Sequence, residues 1–289
     1  MSGRLPSWFK KKMPPPGVMR DMRGLLKELS LHTVCENALC PNIGDCFCKG
    51  TATFLIMGDI CTRNCTFCAI TKGTPLPLDE KEPENLLEAT EKLGLKHVVI
   101  TSVTRDDLAD GGAEHFARII SLLKEKNASR TVEVLVPDFG GSTTSLKKVI
   151  ASKPDVFNHN LETVPRLYTE VRPRANFERS LQLLKDAKDI NPNITTKSGL
   201  MAGLGETSDE LYETMERLRG VGCDLLTIGQ YLQPSTKHHP VIRFTPPEEF
   251  NEYEQWGIAM GFKGIASAPL VRSSFNAAEL YDSTKKAGE

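Results

Sequence analysis

From residue 52 onward the chain alternates short apolar runs with longer stretches whose apolar residues recur every three or four positions, repeating about every thirty residues. The short runs read as strands: "TATFLIMGD" (51–59), "KHVVITSVT" (96–104), "TVEVLVPDF" (131–139), "DVFNHNLE" (155–162), "ITTKSGLMAGL" (194–204) and "CDLLTIGQYL" (223–232). Between them "EPENLLEATEKL", "GAEHFARIISLLKEK", "STTSLKKVIAS", "NFERSLQLLKDAKDI" and "SDELYETMERLRG" read as helices, and "PPEEFNEYEQWGIAMGF" follows the sixth strand. Several begin with Pro or Ser, the residues that favour helix N-termini. Repeated βα units predict an α/β fold with a parallel sheet, an incomplete TIM-type barrel of six units over residues 51–262. Residues 1–50 form an N-terminal extension in which "MRDMRGLLKELSLHTV" reads as an amphipathic helix. Residues 263–289 form a C-terminal tail, polar at the centre of "SAPLVRSSFNAAEL".

In barrels of this kind chemistry gathers at the C-terminal ends of the strands. Cys61 follows the first strand, and Thr101, Ser102, Asp138, Asn158, Asn160, Glu162, Lys197, Ser198 and Gln230 close the next five. Each of these polar residues, taken alone, serves equally well as a cap or a turn residue.

Charge narrows the partners. The 289 residues carry 36 Lys+Arg against 37 Asp+Glu, so no general field draws the chain to nucleic acid or anionic lipid. The basic run Lys10–Lys12 reads as a solvated arm, or as a contact for an acidic protein. No stretch approaches the roughly 18 consecutive apolar residues of a membrane span, and the N-terminal segment lacks the apolar core of a signal peptide. A cytoplasmic location is expected, and a monomer, since no zipper-like repeat is evident.

That location governs what eight cysteines mean, because cytosolic thiols stay reduced. Cys35, Cys40 and Cys46 form C-x4-C-x5-C; Cys61, Cys65 and Cys68 form C-x3-C-x2-C. Such packing reads as soft-metal ligation, with Cys48 and Cys223 as bystanders. A structural zinc site takes four protein ligands, usually in paired C-x2-C knuckles. Three thiolates can instead hold three irons of a four-iron cluster and leave the fourth open to a small molecule.

"CTRNCTFC" on the first strand of an incomplete barrel resembles the radical S-adenosylmethionine superfamily. There the open iron chelates the amino and carboxylate groups of S-adenosylmethionine, and one electron splits its S–C bond to give a 5′-deoxyadenosyl radical. "TVCENALCPNIGDCF", followed by "GTATFLIMGDICTRNCTFCA" and far away by "VRSSF", is similar to the lipoyl synthase family over nearly the whole chain. "TSVTRDDLADGGAEHF", "NHNLETVPRLYTEVRP" and "TKSGLMAGLGET" match the same family.

The resemblance implies a sulfurtransferase acting on an octanoyl chain amide-linked to a carrier-protein lysine, on the lipoyl domain of a 2-oxoacid dehydrogenase or on the glycine-cleavage H protein. Sulfur enters at carbons 6 and 8, which are unactivated. No side-chain base deprotonates an alkane, so hydrogen-atom abstraction is required, and two abstractions imply two equivalents of S-adenosylmethionine. The resemblance assigns one [4Fe-4S] cluster to Cys61, Cys65 and Cys68. It assigns a second, auxiliary cluster to Cys35, Cys40, Cys46 and Ser274, and makes it the sulfur donor. An oxygen ligand is harder than thiolate and suits a soft cluster less well, which favours opening of the cluster. Thr101, Ser102, Asn158, Glu162, Arg172 and Lys197, on or just beyond the rim, are candidate contacts for S-adenosylmethionine. Among them Arg172 suits a carboxylate, although a surface salt bridge would also explain it. "DGGAEH" from Asp110 resembles the superfamily's glycine and glutamate element, yet Gly111–Gly112 also reads as a turn before a helix.

"KSGLMAGLGE" lacks the G-K-[ST] ending of a P-loop, and His159, His238 and His239 have no metal-ligand spacing. The partners implied are the octanoylated carrier, a small electron-donor protein and an iron–sulfur carrier that rebuilds the spent cluster, with no nucleic acid and no membrane. Two departures stand out: Phe275 where many relatives carry Tyr, and "GDCF" where "GECW" is frequent. Another radical sulfur-inserting enzyme, a methylthio-transferring enzyme on RNA, and a non-enzymatic electron carrier or cluster scaffold are the alternatives. The last would not cleave S-adenosylmethionine when reduced.

Overall fold

The computed structural model describes residues 5–10, 16–48 and 52–286; Lys11 and Lys12 of the basic run, and Thr51 at the head of the first strand candidate, lie outside them. Helix α1 (Pro16–Glu28) leads to β1 (His32–Thr33), followed by the short helices α2 (Val34–Asn37) and α3 (Ile43–Cys48). Thr33 caps α2 by accepting from the Glu36 N–H at 3.3 Å. β2 (Thr53–Ile56) begins the barrel, and two-residue strands β3 (Ile60–Cys61) and β4 (Thr71–Lys72) bracket the loop that holds Cys65 and Cys68.

The repeat then runs α4 (Glu82–Lys92), β5 (His97–Ser102), α5 (Ala113–Lys126), β6 (Thr131–Leu135), α6 (Thr143–Ala151) and β7 (Val156–Asn158). It continues with α7 (Tyr168–Val171), α8 (Phe177–Ile190), β8 (Thr195–Ala202), α9 (Ser208–Gly220), β9 (Leu225–Gln230) and α10 (Pro247–Ala259). Helix starts follow side-chain oxygens that bind orphan N–H groups: Ser142 for α6, Asn176 for α8, and Thr207 with Glu210 in a reciprocal pair for α9. All six strand candidates are strands.

A seventh parallel strand, β10 (Gly264–Ser267), pairs with β9 in the register Gly264↔Leu225, inside the stretch read as tail. Four residues with Gly and Ser at the ends give too short an apolar run to stand out in sequence. The sheet order is β1-β2-β5-β6-β7-β8-β9-β10, with β1 antiparallel to β2 and the other neighbours parallel. Its two edges do not meet, so the barrel is open. Helix α11 (Ala277–Lys286) packs on β10 and reaches β5, where Tyr281 meets His97 edge-on at 6.1 Å between ring centroids.

Strands covered on both faces read as near-continuous apolar runs, and β2 and β9 are buried throughout. Phe54, Ile56, Ile100, Val134 and Phe157 are fully buried against Leu86, Phe116 and Leu184 of the surrounding helices. Among the described residues no helix is long and apolar enough to cross a membrane.

Candidate active site

The loop after β2 is set by its first residues. Met57 and Gly58 turn the chain with φ of +67° and +88°, and the Met57 N–H donates to both carboxylate oxygens of buried Glu82 at 3.1 and 2.9 Å. Glu82 is paired in turn with His115 Nε2 at 2.6 Å. Gly112, at φ +88°, lies under Met57, and a Cβ there would collide with the Met57 sulfur. Asp110 accepts from the N–H groups of Gly112 and Glu114 at 2.9 and 2.8 Å. "DGG" is therefore a turn that opens α5 and supports the loop from below.

Arg63, between the first two cysteines of the loop, fastens it to the rim. Its guanidinium donates to both oxygens of Asp106 at 2.9 and 2.8 Å and to Asp138 Oδ1 at 2.6 Å. Arg179 binds the other oxygen of Asp138 at 2.8 Å. Burial pushes the Asp138 carboxyl up, but the Arg63 hydrogen bond and charge outweigh it and hold the group well below the usual range. Thr62 adds bonds from its N–H and hydroxyl to Thr104 O at 3.1 and 3.0 Å. The N–H groups of Arg63 and Thr104 both point at Cys61 Sγ, at 3.4 Å each.

All six motif cysteines are free thiols. Burial raises Cys68 to about 12 and raises Cys65 as well, and each is pushed further by neighbouring thiols of its own triplet. Cys35 on α2 is likewise raised to about 12 by burial, and the neighbouring Cys40 and Cys46 push it the same way. Bound cations reverse that preference, since a coordinating thiol is deprotonated outright. Asn42, between Cys40 and Cys46, donates to Leu270 O at 2.7 Å and so ties the first triplet to the C-terminal segment.

A cavity of about 370 Å³ at the rim brings together Cys35, Cys40, Cys61, Cys65, Cys68 and Ser274. Cys46 neighbours Cys35 without lining it. Of the rim candidates, Thr101, Ser102, Glu162 and Arg172 line the cavity, as do Asn160, Asp138 and Gln230. Arg172 donates from Nη1 to Asn160 O, Leu161 O and Tyr168 Oη, each at 3.0 Å, while its buried Nε has no partner among the described residues. Burial works against its charge, but Tyr168, Glu162 and Cys65 raise its pKa. Glu162 holds φ +68°, an uncommon conformation for this side chain costing about 1–3 kcal/mol, and is kept there by bridging Gly199 O and the Met201 N–H at 2.9 and 2.8 Å. Burial pushes its carboxyl up against the pull of Arg172.

Lys197 and Asn158 lie elsewhere. Lys197 is fully buried below the cavity floor, its Nζ donating to Glu133 Oε1 at 2.8 Å. Asn158 Nδ2 donates to the same oxygen at 3.3 Å and to Ser273 Oγ at 2.8 Å. His159 is satisfied by Val136 O and Ser180 Oγ at 2.8 and 3.0 Å, and burial lowers it to about 4. His238 pairs with Ser235 and His239 with Leu204 O, in keeping with ordinary polar roles. Sequence reasoning missed Arg63, Arg272 and Ser273, although the first stands inside the cysteine motif and the others inside "VRSSF". Arg272 donates to Gln230 O and Val271 O, and its charge faces Cys40 and Glu162.

The model of the radical SAM superfamily matches residues 55–218. The lipoyl synthase of Caldanaerobacter subterraneus is 56% identical over 277 residues, covering 96% of this chain and 97% of its own. That of Alkaliphilus metalliredigens is 54% identical over 276 residues, covering 96% and 95%. The chain belongs to the lipoyl synthase family. At the level of fold alone, it is similar to methylornithine synthase, with a TM-score of 0.56 at 14% identity over 89% of this chain and 76% of the other. A maturase of the [FeFe]-hydrogenase gives 0.59 at 16% identity over 80% and 55%.

The donor set fits the cofactors of a lipoyl synthase. Among the described residues no three His, Cys, Asp or Glu side chains converge on one point, as a single metal ion would need. A four-iron cluster takes one thiolate per iron, so its ligands stand apart around a larger body. Cys61, Cys65 and Cys68 neighbour one another at one part of the cavity wall, and Cys35 neighbours Cys40 and Cys46 at another. Phe275 contributes a backbone bond to Arg272 O at 2.9 Å.

Proposed function

We propose that this chain inserts two sulfur atoms into a protein-bound octanoyl-lysine. Cys61, Cys65 and Cys68 would hold the cluster that activates S-adenosylmethionine; Cys35, Cys40, Cys46 and Ser274 would hold the cluster consumed as sulfur donor. When bound, the first cluster and S-adenosylmethionine supply a carbon radical able to take hydrogen atoms from an alkane. The observation that supports this reading is the placement of cysteines from both triplets, and of Ser274, around one cavity. A short-lived carbon radical reacts only with what is already beside it, so generator, acyl chain and sulfur donor must share a closed space.

The chain's own residues do the rest. Arg63, clamped by Asp106 and Asp138, keeps the cysteine loop in one conformation. Arg172 brings a cation to the cavity wall for a carboxylate, with Thr101, Ser102 and Glu162 as further polar contacts. Leu39, 68% exposed and lining the cavity between Cys35 and Cys40, offers an apolar lip for the octanoyl chain. The physiological substrate would be an octanoylated lipoyl domain or glycine-cleavage H protein in the cytoplasm. A small electron-donor protein and an iron–sulfur carrier that restores the consumed cluster complete the cycle.

Anaerobic reconstitution with iron and sulfide, followed by dithionite, S-adenosylmethionine and an octanoyl-lysine peptide, tests the reading. Two clusters, 5′-deoxyadenosine and a mass gain from two sulfurs are expected. Two clusters without cleavage of S-adenosylmethionine would leave an electron carrier or scaffold instead.

A further inference from the structure

Thr53, at the head of β2 and 7% exposed, touches both segments that flank the barrel. Its hydroxyl donates to Ser274 Oγ at 2.7 Å, across 221 residues of sequence. Its backbone N–H lies against the Cys35 thiol. Thr53, Cys35 and Ser274 all line the cavity. One residue of β2 therefore meets two of the four groups assigned to the sulfur-donating cluster, Ser274 through its side chain and Cys35 through its backbone.

The adjacent serine is placed differently. Ser273 Oγ accepts from Asn158 Nδ2 at 2.8 Å and donates to Asn160 Oδ1 at 3.0 Å. Asn158 is anchored to Glu133, and Asn160 Nδ2 donates to Glu162 Oε1 at 3.1 Å. A serine hydroxyl has one proton and two lone pairs. In Ser273 the proton and one lone pair are committed to fixed partners. Among the described residues Ser274 Oγ has only the Thr53 donor, so its proton and a lone pair stay uncommitted.

We infer that Thr53 is the positioning residue that holds the Ser274 oxygen as the fourth ligand of the sulfur-donating cluster, while Asn158 and Asn160 withhold Ser273. The inference rests on the reading that Cys35, Cys40, Cys46 and Ser274 bind that cluster. A serine side chain has three staggered positions, and the hydrogen bond from Thr53 selects one. Groups that orient a metal ligand in this way are worth about 10–100-fold in metal affinity. A valine has the shape of threonine without the hydroxyl, so the strand and its packing stay intact in Thr53→Val.

The experiment uses the full chain reconstituted with both clusters, without S-adenosylmethionine. It compares wild type, Thr53→Val, Thr53→Ser and Ser274→Ala by the rate of iron transfer to a chelator and by Mössbauer spectroscopy of the oxygen-ligated iron. Thr53→Val is expected to lose auxiliary iron about 10–100-fold faster and to alter the spectrum of that iron. Thr53→Ser, which keeps the donor, is expected to restore both. Iron loss in Thr53→Val that is unchanged or slower overturns the inference. If Ser274→Ala leaves the spectrum as it is in wild type, the ligand reading itself falls, and the inference with it.

Discussion

Replacing Lys197 by methionine separates a structural lysine from one that contacts S-adenosylmethionine. Lys197 and Glu133 are both fully buried, with Nζ and Oε1 2.8 Å apart. Removing one member of such a pair leaves the other charge without compensation, at a cost of about 3–5 kcal/mol. Among the described residues Glu133 would keep the Asn158 amide at 3.3 Å, with His97 Nε2 standing 3.4 Å away without a hydrogen bond. At about 2–4 °C per kcal/mol, the apparent Tm should fall by roughly 6–20 °C.

The defect carries a pH signature. In the wild type, burial pushes the Glu133 carboxyl up, but Lys197 and His97 together outweigh it and the pKa lies below its ordinary value. Its stabilising contribution is therefore present above the unfolded value of about 4.3 and is lost as pH falls through the folded pKa. Without Lys197 burial dominates and the pKa rises, so the penalty is largest at neutral pH and shrinks as pH falls towards the raised pKa. Urea denaturation at pH 7 and pH 5, with tryptophan fluorescence as the probe, should show the gap between wild type and Lys197→Met narrowing at the lower pH. The pair Lys197→Met with Glu133→Leu should return to within about 1 kcal/mol of wild type, because buried ion pairs are often replaced by apolar pairs without loss. Asn158 keeps Ser273 as its partner in that variant. A Lys197→Met protein of wild-type stability that fails to bind S-adenosylmethionine would refute this reasoning and place Lys197 in the cofactor site.

Three further outcomes are expected. Ser274→Cys, which substitutes a softer ligand, should keep the auxiliary cluster by iron and sulfide analysis yet suppress lipoyl formation; undiminished turnover would show that the oxygen ligand is not needed for cluster opening. Arg63→Gln removes the cation between Asp106 and Asp138, and because Arg179 still holds Asp138 the loss should lie near the lower end of about 3–5 kcal/mol. Its radical cluster should bleach faster in air than the auxiliary one, followed by absorbance. Leu39→Asp should raise KM for the octanoylated substrate severalfold while leaving S-adenosylmethionine cleavage unchanged, which steady-state kinetics with and without acyl substrate would show; equal effects on both would remove Leu39 from the acyl path.

How much of this was readable in the sequence depended on the kind of information involved. The six strand candidates were legible because Phe54, Ile100, Val134 and Phe157 belong to runs buried on both faces, and the helix starts because Ser142, Asn176 and Thr207 must satisfy orphan N–H groups. The cysteine triplets were legible because their ligand chemistry is local. Depth along a strand was not. Lys197 shares a strand face with Gly199, which lines the cavity, yet it lies one layer lower, where only the register with β7 and the carboxylate of Glu133 on β6 determine its role. Only the family resemblance separated Ser274 from Ser273 in the sequence; residue type could not, since their different partners, Asn158 with Asn160 and Thr53, are contributed by distant parts of the chain.

The hydrogen bond from Asn42 to Leu270 joins a residue to one synthesised 228 positions later. Any group gripped between these two segments can be enclosed only after translation has carried the later one past the exit tunnel. The cysteine loop after β2 needs far less of the chain, so the two halves of the cavity become competent at different moments in the protein's birth.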